Sequence, residues 1–391
     1  MRILTFLHSF EPGGVERVAL RLVRQWREQG VDAPLFMGRT SGAMRQELGA
    51  DLDCHVPRQP LLSVAGFETL WMILTLPFMI RRTQPDLLFC AGNSYAVVAV
   101  AMKLLLGSRC PPVVAKISND LNRRDMPWPA RLIYRLWLRL QGCMVDHFVA
   151  IAPGLEQEIA ALIRPRAGSI SIIPSPALSR AQIDGLRSLP AKQAMQDGGR
   201  RFAAVGRLVR QKNFPLMLQA FAQAADAADR LTIYGDGPER GTLTMLADRV
   251  GIQGRVDFAG HVPDPASHLH DADIFLLSSD YEGVPAVILE ALAAGVPIIA
   301  TDCSAAMRPL LRDGALGRLS PPGDLQALAQ AIAEADTLAQ DSAASLEQAR
   351  RFTLENASVL YLDGFAAVAA ISRSGRQPSP RRHPTQSAAR A

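Results

Sequence analysis

The sequence predicts an α/β protein made of two doubly wound units in tandem, each a parallel sheet wrapped by helices. Three observations carry this. An apolar strand over residues 3–7 runs through the loop Glu11-Pro12-Gly13-Gly14 into Val15, Val18, Ala19, Leu22, Val23 and Trp26 at helical spacing. Short apolar runs then alternate with helix-length segments, the pattern of parallel strands joined by helical crossovers. Near Arg201, after a stretch rich in turn residues, the same alternation begins again.

In chain order, the first series has strands over 3–7, 31–37, 86–90, 113–117 and 147–151, with Gly30 stopping the first helix. The segment from Ile173-Pro174-Ser175-Pro176 to Asp197-Gly198-Gly199 marks the boundary between units. Strands over 202–205, 231–234, 256–258, 274–277 and 298–301 follow, with helices over 215–225 and 284–294. A last helix over 354–371 comes after the second sheet is complete. The expected organisation is a first domain over 1–180, a second over 200–352, a helix over 353–371 and a disordered basic tail over 372–391.

Of 391 residues, 48% are apolar and 20% charged, which excludes wholesale disorder and fibrous repeats. The net charge of +5 is unevenly placed. Residues 1–180 carry 21 Lys+Arg against 14 Asp+Glu, residues 181–371 carry 16 against 23, and the tail holds five arginines and no acid. With the body of the chain balanced and only 6% aromatic, no specific nucleic-acid partner is expected. Cys54, Cys90, Cys110, Cys143 and Cys303 are scattered singly, so neither a zinc site nor a disulfide framework is indicated, and a reducing cytosol fits. The apolar N-terminus lacks the small-residue cleavage site of a signal peptide. The longest near-uninterrupted apolar run, 69–80, is shorter than the roughly 20 residues a bilayer requires, so no membrane span is expected.

Tandem doubly wound sheets bind ligands at the carboxyl ends of their strands, which makes a cleft between the units the expected site. Gly13 and Gly14 precede a helix, where backbone N–H groups receive anions; a plain tight turn is the alternative. The strand over 202–205 enters Gly206-Arg207-Leu208-Val209-Arg210-Gln211-Lys212, whose cations Arg207 and Lys212 suit a diphosphate, against the alternative of a solvated loop. Only four of the chain's 42 cations are lysines, so a lysine at 212 carries information. In Glu282-Gly283-Val284-Pro285-Ala286-Val287-Ile288-Leu289-Glu290, two glutamates bracket the start of an apolar helix. Glu282 accepts from hydroxyls, or caps the helix; Glu290 lies about two turns on, on a helix too apolar for an ordinary surface acid.

The glycine loop, Gly-Arg-Leu with a lysine five residues after the arginine, Tyr-Gly-Asp-Gly-Pro-Glu at 234–239, Phe-Ala-Gly-His-Val at 258–262 and Glu-Gly-Val-Pro-x4-Glu at 282–290 together resemble the retaining glycosyltransferases of the GT-B fold, family four. The resemblance covers most of residues 1–371. It implies two Rossmann-like domains facing a central cleft, a C-terminal helix crossing back to the first domain, and a nucleotide sugar held mainly by the second. By resemblance, Arg207 and Lys212 grip the donor diphosphate, Glu282 binds the transferred sugar and Glu290 holds the ribose diol. Gly13, Gly14, Gly206, Gly283, Val284 and Pro285 lie along the donor, with Asp236, Gly237 and Val262 near its ribose and base. No dedicated base and no metal or other cofactor is implied.

Where many members carry a histidine facing the sugar, this chain reads Ala115-Lys116-Ile117-Ser118-Asn119-Asp120, and Asn119 is the expected substitute. His8, at the end of the first strand, is a second expected contact to sugar or acceptor. Asp51-Leu52-Asp53 and Asp271-Ala272-Asp273 spell D-x-D, but the second precedes its strand, so both read as surface turns. Arg131, Arg135 and Arg139 recur every four residues on an otherwise apolar helix, and 67–80 followed by Arg81-Arg82 is a second such segment. Peripheral contact with an anionic membrane and a glycan or lipid-linked acceptor of surface polysaccharide or lipopolysaccharide are the expected partners. A sugar-nucleotide epimerase and a non-catalytic binding protein of the same fold are the alternatives.

Overall fold

The computed structural model describes residues 1–374 apart from 12, 50–51, 60–65, 119–120, 122–125, 190–194, 196–197 and 339–340. Two six-stranded sheets organise it. The first holds β1 (Ile3–Leu7), β2 (Leu35–Met37), β3 (Leu87–Cys90), β4 (Val113–Ile117), β5 (His147–Ala150) and β6 (Ile170–Ile172) in the order β2-β1-β3-β4-β5-β6. The second holds β7 (Arg201–Val205), β8 (Arg230–Tyr234), β9 (Val256–Gly260), β10 (Ile274–Leu277), β11 (Ile298–Thr301) and β12 (Arg318–Ser320) in the order β12-β11-β10-β7-β8-β9. Every named pairing is parallel. All five residues of β1 and all five of β4 are buried, as strands covered by helices on both faces require.

Each sheet has one switch point. In the first, the chain leaves β1 toward β2 and later returns on the other side with β3; in the second, it leaves β7 toward β8 and returns with β10. Loops diverging from such a pair open a crevice at the strands' carboxyl ends. The two crevices, after β1/β3 and after β7/β10, contain most of the residues named above.

The crossovers from β2 to β3, β3 to β4 and β4 to β5 step in one direction, and right-handed crossovers of one direction lie on one face. Helices Glu68–Thr83, Ala96–Leu106 and Trp128–Met144 pack side by side there. Helix Gly14–Glu28 covers the other face together with Leu354–Ser374. That last helix is long and apolar enough to cross a membrane by length and composition. In this fold Ala357, Tyr361 and Phe365 are buried in the core of the first unit. Phe365 lies 5.4 Å from Trp26 and 5.5 Å from Phe89, ring centre to ring centre, so the crossing-back expected from the resemblance is present.

Several expected elements shift. The strand over 31–37 shrinks to Leu35–Met37 because Pro34 has no N–H to give a ladder. β6 and β12, three residues each, are too short to show a periodicity. Within the stretch expected to be a boundary, a capping box at Ser179 and Gln182 starts helix Arg180–Arg187, whose Ile183 and Leu186 belong to the core of the second unit. The tail beyond 374 lies outside the described residues.

Candidate active site

In the second crevice, two loops are sewn together. The N–H of Asp280 donates to the carbonyl of Gln211 at 2.9 Å, Gln211 Nε2 to the carbonyl of Tyr281 at 2.8 Å, and Asn213 Nδ2 to Asp280 Oδ1 at 2.7 Å. Asn213, at positive φ, also caps helix Phe214–Ala224. This stitching brings Lys212 Nζ into a hydrogen-bonded ion pair with Glu282 Oε1, which also accepts from Ser279 Oγ at 2.8 Å. The pair is largely enclosed, with side-chain exposures of 17% and 12%. Glu282 is therefore not the cap of the following helix. That helix is Ala286–Ala294, two residues shorter than expected, with Pro285 at its N-cap and no side-chain cap. Gly283 and Val284 lie in the connecting loop.

Gly206 lies under Lys212: a Cβ there would be 3.3 Å from Lys212 Cε. Gly235 is required by close approach, since at φ +147° its Cβ would fall 2.0 Å from the carbonyl oxygen of Gly206. Gly237 also packs closely, since a Cβ there would fall 2.5 Å from the carbonyl oxygen of Leu208, and Asp236 accepts from the Gly237 N–H at 2.8 Å and pairs loosely with Arg240. These residues, expected near ribose and base, thus also shape the cation loop. Arg207 is exposed and makes no ion pair with a described residue.

Glu290 is the fifth residue of helix Ala286–Ala294, in its second turn, so it lies closer to the glutamate loop than the expected two turns because the helix starts only after Pro285. Its Oε2 is buried without a hydrogen-bond partner among the described residues. Burial, with a smaller push from Asp264, raises its carboxyl to about 7. Asp264 follows Val262, and His268 stacks on Tyr234 at 5.0 Å. A buried carboxyl oxygen with no partner among the described residues has free capacity to accept from a hydroxyl.

In the first crevice, the loops after β1 and β3 meet. His8 stacks on Tyr95 at 4.6 Å, with its Nε2 3.4 Å from Thr69 Oγ1, and burial lowers its pKa. Tyr95 donates to Glu16 Oε1 at 2.6 Å. Gly13 and Gly14 open helix Gly14–Glu28 with no side-chain cap, and Glu16 folds back so closely that a Cβ on Gly13 would be 2.1 Å from its Oε2. A side chain at 13 would thus have to push aside the carboxyl end of Glu16, a residue the spacing arguments passed over.

The crevices face each other. Val284 packs against the cores of both units, and Ser118, Glu158, Glu282, Gly283 and Ser304 line one narrow gap between them. Ser118 Oγ is buried with no hydrogen-bond partner among the described residues, a hydroxyl on the gap that Glu282 lines and one the sequence argument did not name beside Asn119. Asn119 and Asp51 lie outside the described residues. Asp271 and Asp273 sit before β10, at the strand end away from the crevice, and the Arg201 N–H donates to Asp273 Oδ2 at 2.8 Å.

Comparison with known proteins bears on the family and the fold. Residues 12–177 match the family described as Glycosyltransferase Family 4, and residues 199–336 match Glycosyl transferases group 1. The lipopolysaccharide core biosynthesis glycosyltransferase LpsE of Rhizobium meliloti is 28% identical over 334 residues, 84% of this chain and 87% of the relative. LpsD of the same organism is 27% identical over 75% of this chain and 77% of its own. Among solved structures, the lipopolysaccharide outer core galactosyltransferase WaaB superposes with a TM-score of 0.76 at 18% identity, covering 94% of this chain and 99% of that one. Anabaena HepE in complex with UDP superposes with a TM-score of 0.72 at 20% identity, covering 94% and 100%. Two matched profiles spanning both units, on a fold of GT-B type, place this chain in the family 4, group 1 glycosyltransferases.

Proposed function

We propose that the protein is a retaining, metal-independent transferase that moves a sugar from a UDP- or GDP-sugar to a glycan or lipid-linked acceptor of bacterial surface polysaccharide or lipopolysaccharide. The observation that carries this reading is the enclosed Lys212–Glu282 pair at the β7/β10 switch point. A cation and a carboxylate in contact match a sugar diphosphate, whose charged phosphate and neutral hydroxyls lie only a few bonds apart. The donor's β-phosphate displaces Glu282 from Lys212, and Glu282 turns to the sugar hydroxyls. The relatives that act on lipopolysaccharide core support the acceptor class.

In the reaction, the bond from the anomeric carbon to the β-phosphate oxygen breaks, and its electron pair leaves with the nucleoside diphosphate. The acceptor oxygen attacks from the same face, and its proton passes to the departing phosphate oxygen. Lys212 and Arg207 carry the developing negative charge, a role that fixed cations perform without reorganising. Gly14, across the cleft, offers first-turn N–H groups to the same phosphates. A thermal-shift screen of UDP-, GDP- and ADP-sugars identifies the donor, since a ligand bound only by the folded state raises its stability. Anomeric analysis of the product then tests retention, and activity in excess chelator tests the metal independence.

Glu290 gives a pH signature. Ribose hydroxyls donate to its ionised form, so donor binding must expel a proton wherever the free enzyme holds one. Donor affinity is expected to fall as pH drops through about 7, by up to about tenfold per unit, and Glu290→Gln to bind weakly without that slope. The stability effect has the opposite sign. A carboxyl raised from 4.5 to about 7 costs the folded state nothing below 4.5, and the full cost is present above 7. Glu290→Gln should therefore melt higher than wild type at pH 8 and not at pH 4.5. A pH-independent wild-type affinity between 6 and 8 contradicts the role.

The helices Glu68–Thr83, Ala96–Leu106 and Trp128–Met144 leave Leu74, Phe78, Leu105, Trp128, Ile133 and Leu136 exposed, with Phe78 at 70% and Trp128 at 75%. Arg81, Arg82 and Arg135 are exposed on the same helices, while Arg131 and Arg139 are half-buried. Apolar side chains interleaved with cations suit an anionic bilayer, and docking there brings the first domain to a lipid-linked acceptor. Sedimentation with anionic vesicles at low salt is expected, and Ile133→Glu with Leu136→Glu should abolish it. A wild-type protein left in the supernatant overturns the membrane reading.

A further inference from the structure

A cavity that the transfer step does not use lies at the amino ends of the strands in the first sheet. Its volume is about 540 Å³, within the range of small-molecule sites. Pro85 and Asp86 lead from it into β3, and Pro111 and Pro112 into β4, so it opens at the end of the sheet opposite the cleft. Three of these residues are prolines, which hold a fixed φ and bring no N–H.

Two arginines from separate elements line it. Arg81 is in the last turn of helix Glu68–Thr83, and Arg109 lies in the short turn after helix Ala96–Leu106. Both are exposed, and neither makes a hydrogen bond or ion pair with a described residue. The acceptors beside them are engaged elsewhere: the carbonyl of Thr83 accepts from Arg2 Nη1, and Asp86 Oδ2 accepts from the Arg2 N–H at 2.9 Å. The last helix adds Ser372, and from that position onward the sequence carries five arginines and no acid. The cavity thus has positive charge to spare.

The apolar outer face of the same two helices begins at its rim. Exposed Leu105 adjoins Leu106, exposed Phe78 lies two residues before Ile80, and both Leu106 and Ile80 line the cavity. Guanidinium forks match phosphate oxygens, and the leucine and phenylalanine beside them match hydrocarbon. We propose that this cavity is the headgroup site of one anionic phospholipid, its phosphate between Arg81 and Arg109 and its acyl chains against Phe78 and Leu105. The inference rests on the membrane reading above and adds to it a defined lipid site, remote from the catalytic cleft. General attraction to a negative surface treats Arg81 and Arg82 alike. A headgroup site does not, because Arg82 borders a separate cavity with Phe36 and His55.

The probe is vesicles of phosphatidylcholine containing phosphatidylglycerol, with binding of the full chain read by sedimentation. Arg82→Gln is expected to weaken binding about fivefold, the loss of one charge near an anionic surface. Arg81→Gln and Arg109→Gln are each expected to weaken it about thirtyfold, since each also removes a charge-assisted hydrogen bond to the phosphate. All three side chains are exposed, so the melting midpoint should not move; should Arg109→Gln fail to fold, the neighbours Arg81 and Arg82 still decide. Glycerol phosphate, the headgroup chemistry without the chains, should give no detectable heat in calorimetry. Equal losses in the variants, or none, overturn the headgroup site and leave the membrane reading intact. Glycerol phosphate bound through Arg81 as tightly as the vesicles overturns the lipid as occupant in favour of a soluble phosphate. A wild type that leaves the vesicles unbound removes the membrane reading and this inference together.

Discussion

Lys212→Ala is expected to lower turnover by about 10²–10³-fold while changing affinity for the bare nucleoside less than about threefold. Two effects combine. The departing diphosphate loses the cation nearest its new charge, and Glu282, only 12% exposed, loses its partner. Ser279 still donates to Glu282, so the carboxylate is held, but its charge is uncompensated. Stability should drop as well, and Glu282→Gln in the Lys212→Ala background should recover stability without recovering turnover. Glu290→Ala is expected to differ, with donor affinity as the main loss. Steady-state kinetics with the identified donor separate the two. Equal losses of donor affinity in both variants contradict the division of roles.

Phe365→Ala is expected to cost about 3–5 kcal/mol of stability, a large share of the roughly 5–15 kcal/mol of a typical domain. Phe365 is fully buried and its ring lies within 5.6 Å of the ring centres of Trp26, Phe89 and Tyr361. Removing it opens a cavity where helix Leu354–Ser374 meets the first unit. Its docking against helix Gly14–Glu28 is the main contact of that helix with the first unit, so the second unit should be affected less. Denaturant titration followed by tryptophan fluorescence reads the change, since all four tryptophans, Trp26 among them, lie in the first unit. A loss below about 1 kcal/mol shows that the returning helix is held elsewhere.

The sequence was legible where one local signal decided the outcome. Strands such as Val113–Ile117 and Ile298–Thr301 are uninterrupted apolar runs, and doubly covered strands must be so. Gly206, Lys212, Glu282 and Glu290 could be named as candidates because residue type and spacing within one loop or helix single them out. Gly13 precedes the helix as its glycine loop suggests, and only the fold shows Glu16 folded back against it. β6 and β12 exist through pairing with β5 and β11, a contact that three residues cannot announce. Helix Ala96–Leu106 reads as apolar all round, and only its place on the sheet shows that Val97, Leu104 and Leu105 face outward.

The amino-acid order alone determined two wound units, the loops that end their strands and the chemical types gathered there, because periodicity and turn chemistry act over a few residues. Which of those residues touch was decided only by the fold. The Lys212–Glu282 pair spans 70 positions, Tyr95–Glu16 spans 79, and Ser118 meets the glutamate loop from the other domain. Such contacts arise where a sheet reverses its strand order and two units close on each other. Strand order and domain closure follow from burying all the apolar faces at once, which no local window contains.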